Sequence, residues 1–279
     1  MDLENSIKLS DPNSYYGTPF RYWITKYLPK MIQSICPKSN ADILDLGCGQ
    51  GQYAELIKSL PINGSYIGID LDRRENWDRI ESDQNLNIEF QEHNAENLTA
   101  LNKSFNFILA VTTFEHFDDQ IAVINGAFKV TDINGTIMII IPSHYSYLIY
   151  GTHGYRRYSK KSLESLLSSA GYKISSSGKI GGLFSFIFHF LWRNLSFFTK
   201  RGLKLILYLC FFGKLNVARK KLPRFMFIID NLMHLHLKTR MGRVIHKALV
   251  VNTHKLDHLA PIFEVGYYCI ANKIEKNNY

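Results

Sequence analysis

ADILDLGCGQGQY, residues 41–53, sets three glycines, at 47, 49 and 51, directly behind an apolar run. ADILDL (41–46) reads as a buried strand and QYAELIKSL (52–60) as the helix after it. Residues without Cβ atoms between the two make a tight turn at the strand's carboxyl end and let a ligand approach the backbone closely. A tight turn with no ligand would carry the same letters, so the rest of the chain has to decide between them.

The rest repeats the alternation. Further strands are expected at 64–70, 86–93, 105–111, 135–142, 172–180 and 265–274, with helices at ENWDRI, 120–130 and 159–172. The last helix would start on Ser159 and stop at Gly171. Continuous apolar strands divided by helices predict an α/β fold with a doubly wound, mostly parallel seven-stranded sheet. An N-terminal helical arm (1–40) precedes the ligand-binding domain (41–182). A helical insertion (183–260) separates that domain from its last strand (261–279).

Charge is unevenly spread. Residues 183–260 hold fourteen Lys or Arg against two Asp, a net +12; with +9 overall, the remainder carries −3. The insertion is also rich in Phe and Leu. Its apolar stretches are broken by His189, Arg193, Asn194, Lys200, Arg201 and Lys204, so no run of eighteen uncharged apolar residues marks a spanning helix. FMFIIDNLMHLHLK (225–238) repeats the theme. Two compatible readings follow: a helical lid over the site, or surface helices lying on an anionic membrane. Nucleic acid is disfavoured, because phosphate binding does not call for so much Phe and Leu. Cys36, Cys48, Cys210 and Cys269 are far apart and form no CxxC pair, so neither zinc nor a disulfide framework is indicated. Free thiols and a start without a signal-peptide pattern lead to the expectation of a cytosolic protein, peripheral on the membrane's inner face in the second reading.

Three further elements sit at the predicted strand ends. GSYIGID closes on Asp70, nineteen residues after Gly51, where a carboxylate can accept from both hydroxyls of a ribose. HNAE (93–96) follows the third strand, and FNFILAVTTFEHFDD (105–119) runs into Glu115 and His116. A nicotinamide-dependent enzyme would use similar devices, but its G-x-G-x-x-G pattern needs glycine at 52, where this chain has Gln.

In that order and spacing, the motifs resemble the class I S-adenosylmethionine-dependent methyltransferases. DLGCGQG looks like their first motif, GID their second, the NAE stretch their third and FNFILAVTTFEH their fourth. The likeness covers about residues 40–180 and the last strand, and it implies a Rossmann-like fold and S-adenosyl-L-methionine as cofactor. It places Asp45 near the ligand's amino group, Gly47, Cys48 and Gly49 around the methionine portion, and Asp70 on the ribose with Leu71 beside it. Asn94 and Ala95 would meet the adenine, and Thr112 would lie beside the sulfonium. Asn94 departs from the Asp common in the family. Tyr15 and Tyr16 would close over the ligand, or form a plain surface turn.

For a hydroxyl or amine acceptor a base is needed. His116, His144, His153 and Glu115 all follow strands at the ligand-binding edge. Arg156 and Arg157 read either as an anion site or as solvated arginines before a helix. The basic, apolar insertion is similar to that of bacterial methyltransferases of cell-envelope glycan pathways. That likeness implies O-methylation of a glycan, a lipid-linked sugar or another amphiphilic acceptor. A quinone or other hydrophobic small molecule is the alternative acceptor, and a non-catalytic, membrane-associated subunit the alternative role. No metal site is expected.

Overall fold

A computed structural model describes residues 18–36, 40–60, 62–81, 87–150, 154, 156–210, 222 and 240–274. Seven strands form one sheet: β1 (Asn40–Leu46), β2 (Asn63–Asp70), β3 (Asn87–Glu92), β4 (Phe105–Val111), β5 (Thr131–Pro142), β6 (Lys173–Ile180) and β7 (Gly266–Asn272). Their order is β3-β2-β1-β4-β5-β7-β6. β7 runs antiparallel to both neighbours, and all other pairings are parallel. The order reverses between β1 and β4, which makes their carboxyl ends the place where such sheets bind ligands. Because β7 is antiparallel, its first residues reach the same edge: Gly266 pairs with Pro142 at the end of β5 and with Ile180 at the end of β6.

The alternation of side chains along each strand builds two cores. On one face Ile43, Tyr66, Leu109 and Ile140 pack under α1 (Pro19–Ile35), α2 (Gln52–Lys58) and α3 (Trp77–Glu81). On the other, Leu44, Ile69, Ile108 and Ile139 pack against α4 (Gln120–Val130) and α6 (Lys160–Ser169). A short α5 (Tyr147–Tyr150) follows β5. Ser159 caps α6 as its letters predict, accepting from the Ser162 N–H while the Ser162 side chain bonds back to the cap.

One boundary differs from expectation. β5 begins at Thr131 rather than at 135, directly after α4. The polar letters Asp132 and Asn134 hide the start, because Asn134 takes a left-handed conformation (φ 66°) in an irregularity where the β4–β5 register shifts.

The basic, apolar stretch contains α7 (Leu183–Cys210) and α8 (Arg240–Leu256). Asp257, just past α8, accepts from the Ser185 N–H at 2.9 Å and the Ser185 hydroxyl at 2.5 Å, so the end of α8 caps the start of α7. α1 packs on both: the Tyr27 hydroxyl meets His254 Nε2 at 3.0 Å and Trp23 stacks on Tyr268. Among the described residues no helix is long and apolar enough to cross a membrane. Tyr15, Tyr16, His153 and the 225–238 stretch lie outside the described residues.

Candidate active site

The glycine loop turns at the carboxyl end of β1. Gly47, Gly49 and Gly51 all have positive φ (67°, 52° and 77°), but the residues around them differ. A Cβ on Gly47 would lie 1.9 Å from Thr113 Oγ1, so this glycine lets the loop close on the end of β4. A Cβ on Gly51 would strike Phe90 and Ile80, which makes the third glycine a packing device. At Gly49 nothing lies within 4 Å of such an atom, so the open side of the loop is here.

Asp70 holds the loop. Its Oδ2 accepts from the Gly49 N–H at 3.0 Å, and its Oδ1 accepts from Arg74 at 2.9 Å. The Gly49 carbonyl in turn accepts from the Trp77 indole N–H at 2.8 Å, and Trp77 stacks on Phe90 at 5.1 Å. Leu71, the next residue, stands 68% exposed at the sheet edge. Within the loop, the Cys48 N–H is bonded to the Ile69 carbonyl and its side chain is buried in the core. Ala95 is buried, whereas Asn94 is exposed and uses its Oδ1 to cap the 95–101 turn through the Glu96 N–H.

Asp45 is buried at 1% exposure. Its Oδ2 accepts from the Tyr66 hydroxyl at 2.5 Å, but its Oδ1 has no hydrogen-bond partner among the described residues. Burial pushes its carboxyl up to about 7 against the Tyr66 hydrogen bond, which lowers it, with the nearby Asp70 charge adding to the rise. An orphaned buried carboxylate oxygen is costly unless something cationic or donating meets it.

The end of β4 supplies a second buried carboxyl. Thr112 is left-handed (φ 54°), a strained conformation for a β-branched residue, and is pinned by its N–H to the Ile140 carbonyl at 2.7 Å. The chain then turns through Phe114–His116. This turn gives the two members of the expected Glu–His pair different surroundings. Glu115 points inward, with its side chain 5% exposed, while His116 is exposed and 3.9 Å from Glu115 Oε1. Burial raises the Glu115 carboxyl to about 7 against the opposing pull of its own backbone hydrogen bond and Arg157, and its Oε2 has no hydrogen-bond partner among the described residues. Asp45 and Glu115 both act electrostatically on the buried phenol of Tyr53, whose ionisation burial opposes first. Asp45 and Glu115 therefore both lie within electrostatic reach of Tyr53 on α2.

Arg156 is engaged by the neighbouring loop. Its guanidinium bonds the Phe117 and Asp118 carbonyls and staples that loop. His144 lies past the end of β5 at the same carboxyl edge of the sheet, exposed and against Tyr145 and Tyr267. Tyr66, Trp77 and Tyr53 carry no motif and were not legible as site residues.

The residues present fit S-adenosylmethionine. Asp45 Oδ1 is an unpaired acceptor suited to an ammonium, the missing Cβ of Gly49 leaves space on the open side of the loop, and the Asp70 carboxylate stands at the next strand end with lone pairs for a diol. Asp45, Gly47, Gly49, Asp70 and Leu71 would line that position. Among the described residues no cluster of three or more His, Cys, Asp or Glu is arranged to hold a metal ion.

Comparison with known proteins points the same way. The methyltransferase-domain family profile matches residues 20–177. A ubiquinone biosynthesis O-methyltransferase from Bartonella tribocorum is 30% identical over 154 residues, covering 48% of this chain and 61% of its own. Among solved structures, the cyclase SpnF is similar at a TM-score of 0.53 and 15% identity, covering 90% of this chain and 81% of its own. A candidate sarcosine dimethylglycine methyltransferase from Galdieria sulphuraria is similar at 0.52 and 14%, covering 91% and 84%. At these identities the structural likeness concerns the fold.

Proposed function

The chain belongs to the methyltransferase-domain family and is an S-adenosylmethionine-dependent methyltransferase; on that footing we propose that it methylates a hydroxyl on an amphiphilic acceptor with a quinol-type head. The observation that carries this reading is the 30% identity, over 154 residues, to an O-methyltransferase of ubiquinone biosynthesis. The chain spans 61% of that relative's length, so the acceptor is a proposal for this chain.

The cofactor, when bound, supplies a methyl group already activated on a sulfonium, and the protein's task is position and proton removal. Asp45 anchors the amino group, and Asp70 the ribose. Glu115, neutral or charged near pH 7, stands with an unpaired oxygen beside the end of β4, where an acceptor hydroxyl can give up its proton. Thr113 and Gly47 hold that corner rigid.

The cap of α1, α7 and α8 supports an acceptor with an apolar tail. α8 turns an apolar stripe outward: Met241 is 73% exposed, Val244 61%, Ile245 52% and Leu249 46%. This spacing is one helix face. It lies in a segment of net +12, a combination suited to an anionic bilayer surface where such acceptors reside. A lipid-linked sugar, the acceptor that the insertion's likeness to glycan-pathway enzymes implies, shares the hydroxyl and the tail.

The test is transfer of labelled methyl from S-adenosylmethionine, in anionic vesicles, to two acceptors side by side: a prenylated dihydroxybenzene and a polyprenyl-linked sugar. Labelling of the aromatic acceptor alone supports the reading. Labelling of the sugar alone transfers the function to glycans, and an enzyme that methylates amines instead would end the hydroxyl reading.

A further inference from the structure

Four side chains from distant parts of the chain meet at the carboxyl edge of β5, β6 and β7. Lys179 Nζ lies 3.3 Å from Glu264 Oε2. The Tyr267 hydroxyl bonds Glu264 Oε1 on one side and lies 3.1 Å from His144 Nδ1 on the other. The Tyr267 and His144 rings are nearly parallel, at 9°. Backbone bonds lock the corner. The Ser143 N–H donates to the Val265 carbonyl at 3.1 Å, and the Ser143 hydroxyl donates to the Glu264 carbonyl. Tyr267, Glu264 and Ser143 are all buried, at 1%, 4% and 0% exposure, whereas His144 is exposed.

A count of protons gives this chain a direction. A carboxylate paired with a lysine only accepts. Tyr267 has one proton, and the charged oxygen of Glu264 is the stronger acceptor, so the hydroxyl donates there. What remains on the tyrosine oxygen is a lone pair, and His144 Nδ1 can bond it only by donating. We propose that Tyr267, oriented by Glu264 and Lys179, is a positioning residue that holds neutral His144 as the Nδ1–H tautomer and so leaves Nε2 as a bare proton acceptor for the methyl-accepting hydroxyl. The inference rests on the hydroxyl-acceptor reading above and adds a second base beside Glu115, one strand over from Thr112. It uses the logic by which a buried carboxylate orients a catalytic histidine, with a tyrosine interposed.

The step balances without a proton crossing Tyr267. The acceptor O–H gives its proton to Nε2. Its electron pair forms the new carbon–oxygen bond while the carbon–sulfur bond breaks toward sulfur. The imidazolium keeps its Nδ1–H on Tyr267 and later returns the other proton to water.

Nitrogen NMR on full-length protein carrying 15N-histidine tests this without any acceptor, with His144→Gln used to assign the signal. In wild type at pH 8, His144 should show a protonated Nδ1 and a bare Nε2, the tautomer that water disfavours. Tyr267→Phe keeps the ring and should return His144 to the Nε2–H form. It should also slow methylation of the prenylated dihydroxybenzene by roughly 10- to 100-fold, with the KM for S-adenosylmethionine unchanged. Glu264→Leu removes the acceptor, frees the tyrosine proton to point at His144 and should give the same tautomer change through a different residue. A wild-type Nε2–H tautomer overturns the proposal, as does an Nδ1–H tautomer that persists in both variants. A tautomer change with an unaltered rate removes the positioning role. If the enzyme accepts no hydroxyl substrate, the function reading fails while the tautomer remains measured.

Discussion

Asp45→Asn isolates the feature on which cofactor recognition most depends in this reading. The wild-type carboxyl, buried and raised to about 7, is roughly nine-tenths protonated at pH 6. An ammonium meeting Oδ1 requires the ionised form, so binding at pH 6 should release about 0.9 proton from Asp45. The ligand's own amino group, with a pKa of about 7.7–8.0, is charged at that pH and contributes little. Affinity should weaken about tenfold for each pH unit below 7. Calorimetry in two buffers of different ionisation enthalpy measures the released protons directly. In Asp45→Asn the release should fall by the same ~0.9 proton, with the slope of affinity against pH flattened to match. Any contribution from Glu115 persists in the variant and cancels in the difference. Saturable binding with equal proton release in the two proteins would falsify the placement of Asp45 on the amino group.

The same substitution has a consequence for stability, with its sign set by the direction of the shift. The folded-state value lies above the unfolded one, so the stability tied to this group is complete below about pH 4 and is lost as pH rises through 7. The difference of about three units corresponds to a cost on the order of 4 kcal/mol at pH 8. The asparagine side chain resembles the protonated acid and still accepts from Tyr66. The cofactor-free variant should therefore melt higher than wild type at pH 8, and the gap should close toward pH 4. A protein that gains stability while losing its ligand is what a site kept costly for function predicts.

Other consequences follow from single contacts. Asp70→Ala should weaken cofactor affinity by about two orders of magnitude, since charge-assisted hydrogen bonds of about 1.5–3 kcal/mol each are lost, and unchanged calorimetric affinity would remove the ribose assignment. Gly47→Ala should lower the melting temperature by several degrees, because a left-handed alanine would also press on Thr113 Oγ1; an unshifted thermogram would contradict the close approach. Glu115→Gln should raise the melting temperature at pH 8 relative to wild type and converge with it near pH 4, since the wild-type carboxyl is raised to about 7 by burial; a gap independent of pH argues against that burial. Met241→Glu with Ile245→Glu should cut co-sedimentation with anionic vesicles at least tenfold, whereas no vesicle binding by the wild type would end the membrane reading.

The parts of the molecule that were legible in the sequence are those whose letters are dictated by backbone geometry. A left-handed turn against β4 requires Gly47, the buried strands require unbroken apolar runs, and the α6 cap requires Ser159. Each of these constraints has a local part, a positive φ, a strand's alternation or a cap bond, that leaves its mark in contiguous letters, so the seven strands and the donor loop were readable. The β5 start was not, because its irregularity at Asn134 replaced the expected apolar letters. The Glu115–His116 pair was found as a pair, but a sequence has no means of saying which member a 3₁₀ turn rotates inward.

The residues that were not legible share a cause. Tyr66 reaches Asp45 across twenty-one positions, Asp257 caps a helix that begins seventy-four residues earlier, and Tyr267 meets His144 across 123. Nothing local marks them, because the partner that gives each its role lies on another element far along the chain. This divides the site in two. Recognition of a constant cofactor is written in a contiguous loop and one carboxylate, which can remain fixed while the rest of the chain changes. In the reading proposed above, acceptor chemistry draws on Glu115 past β4 and on a cluster assembled from β5, β7 and the helices between them, where each side chain depends on several others. If the four-residue cluster at β5–β7 does act on the acceptor, a change of acceptor would be expected to alter that cluster and the α7–α8 cap together and to leave residues 41–53 untouched.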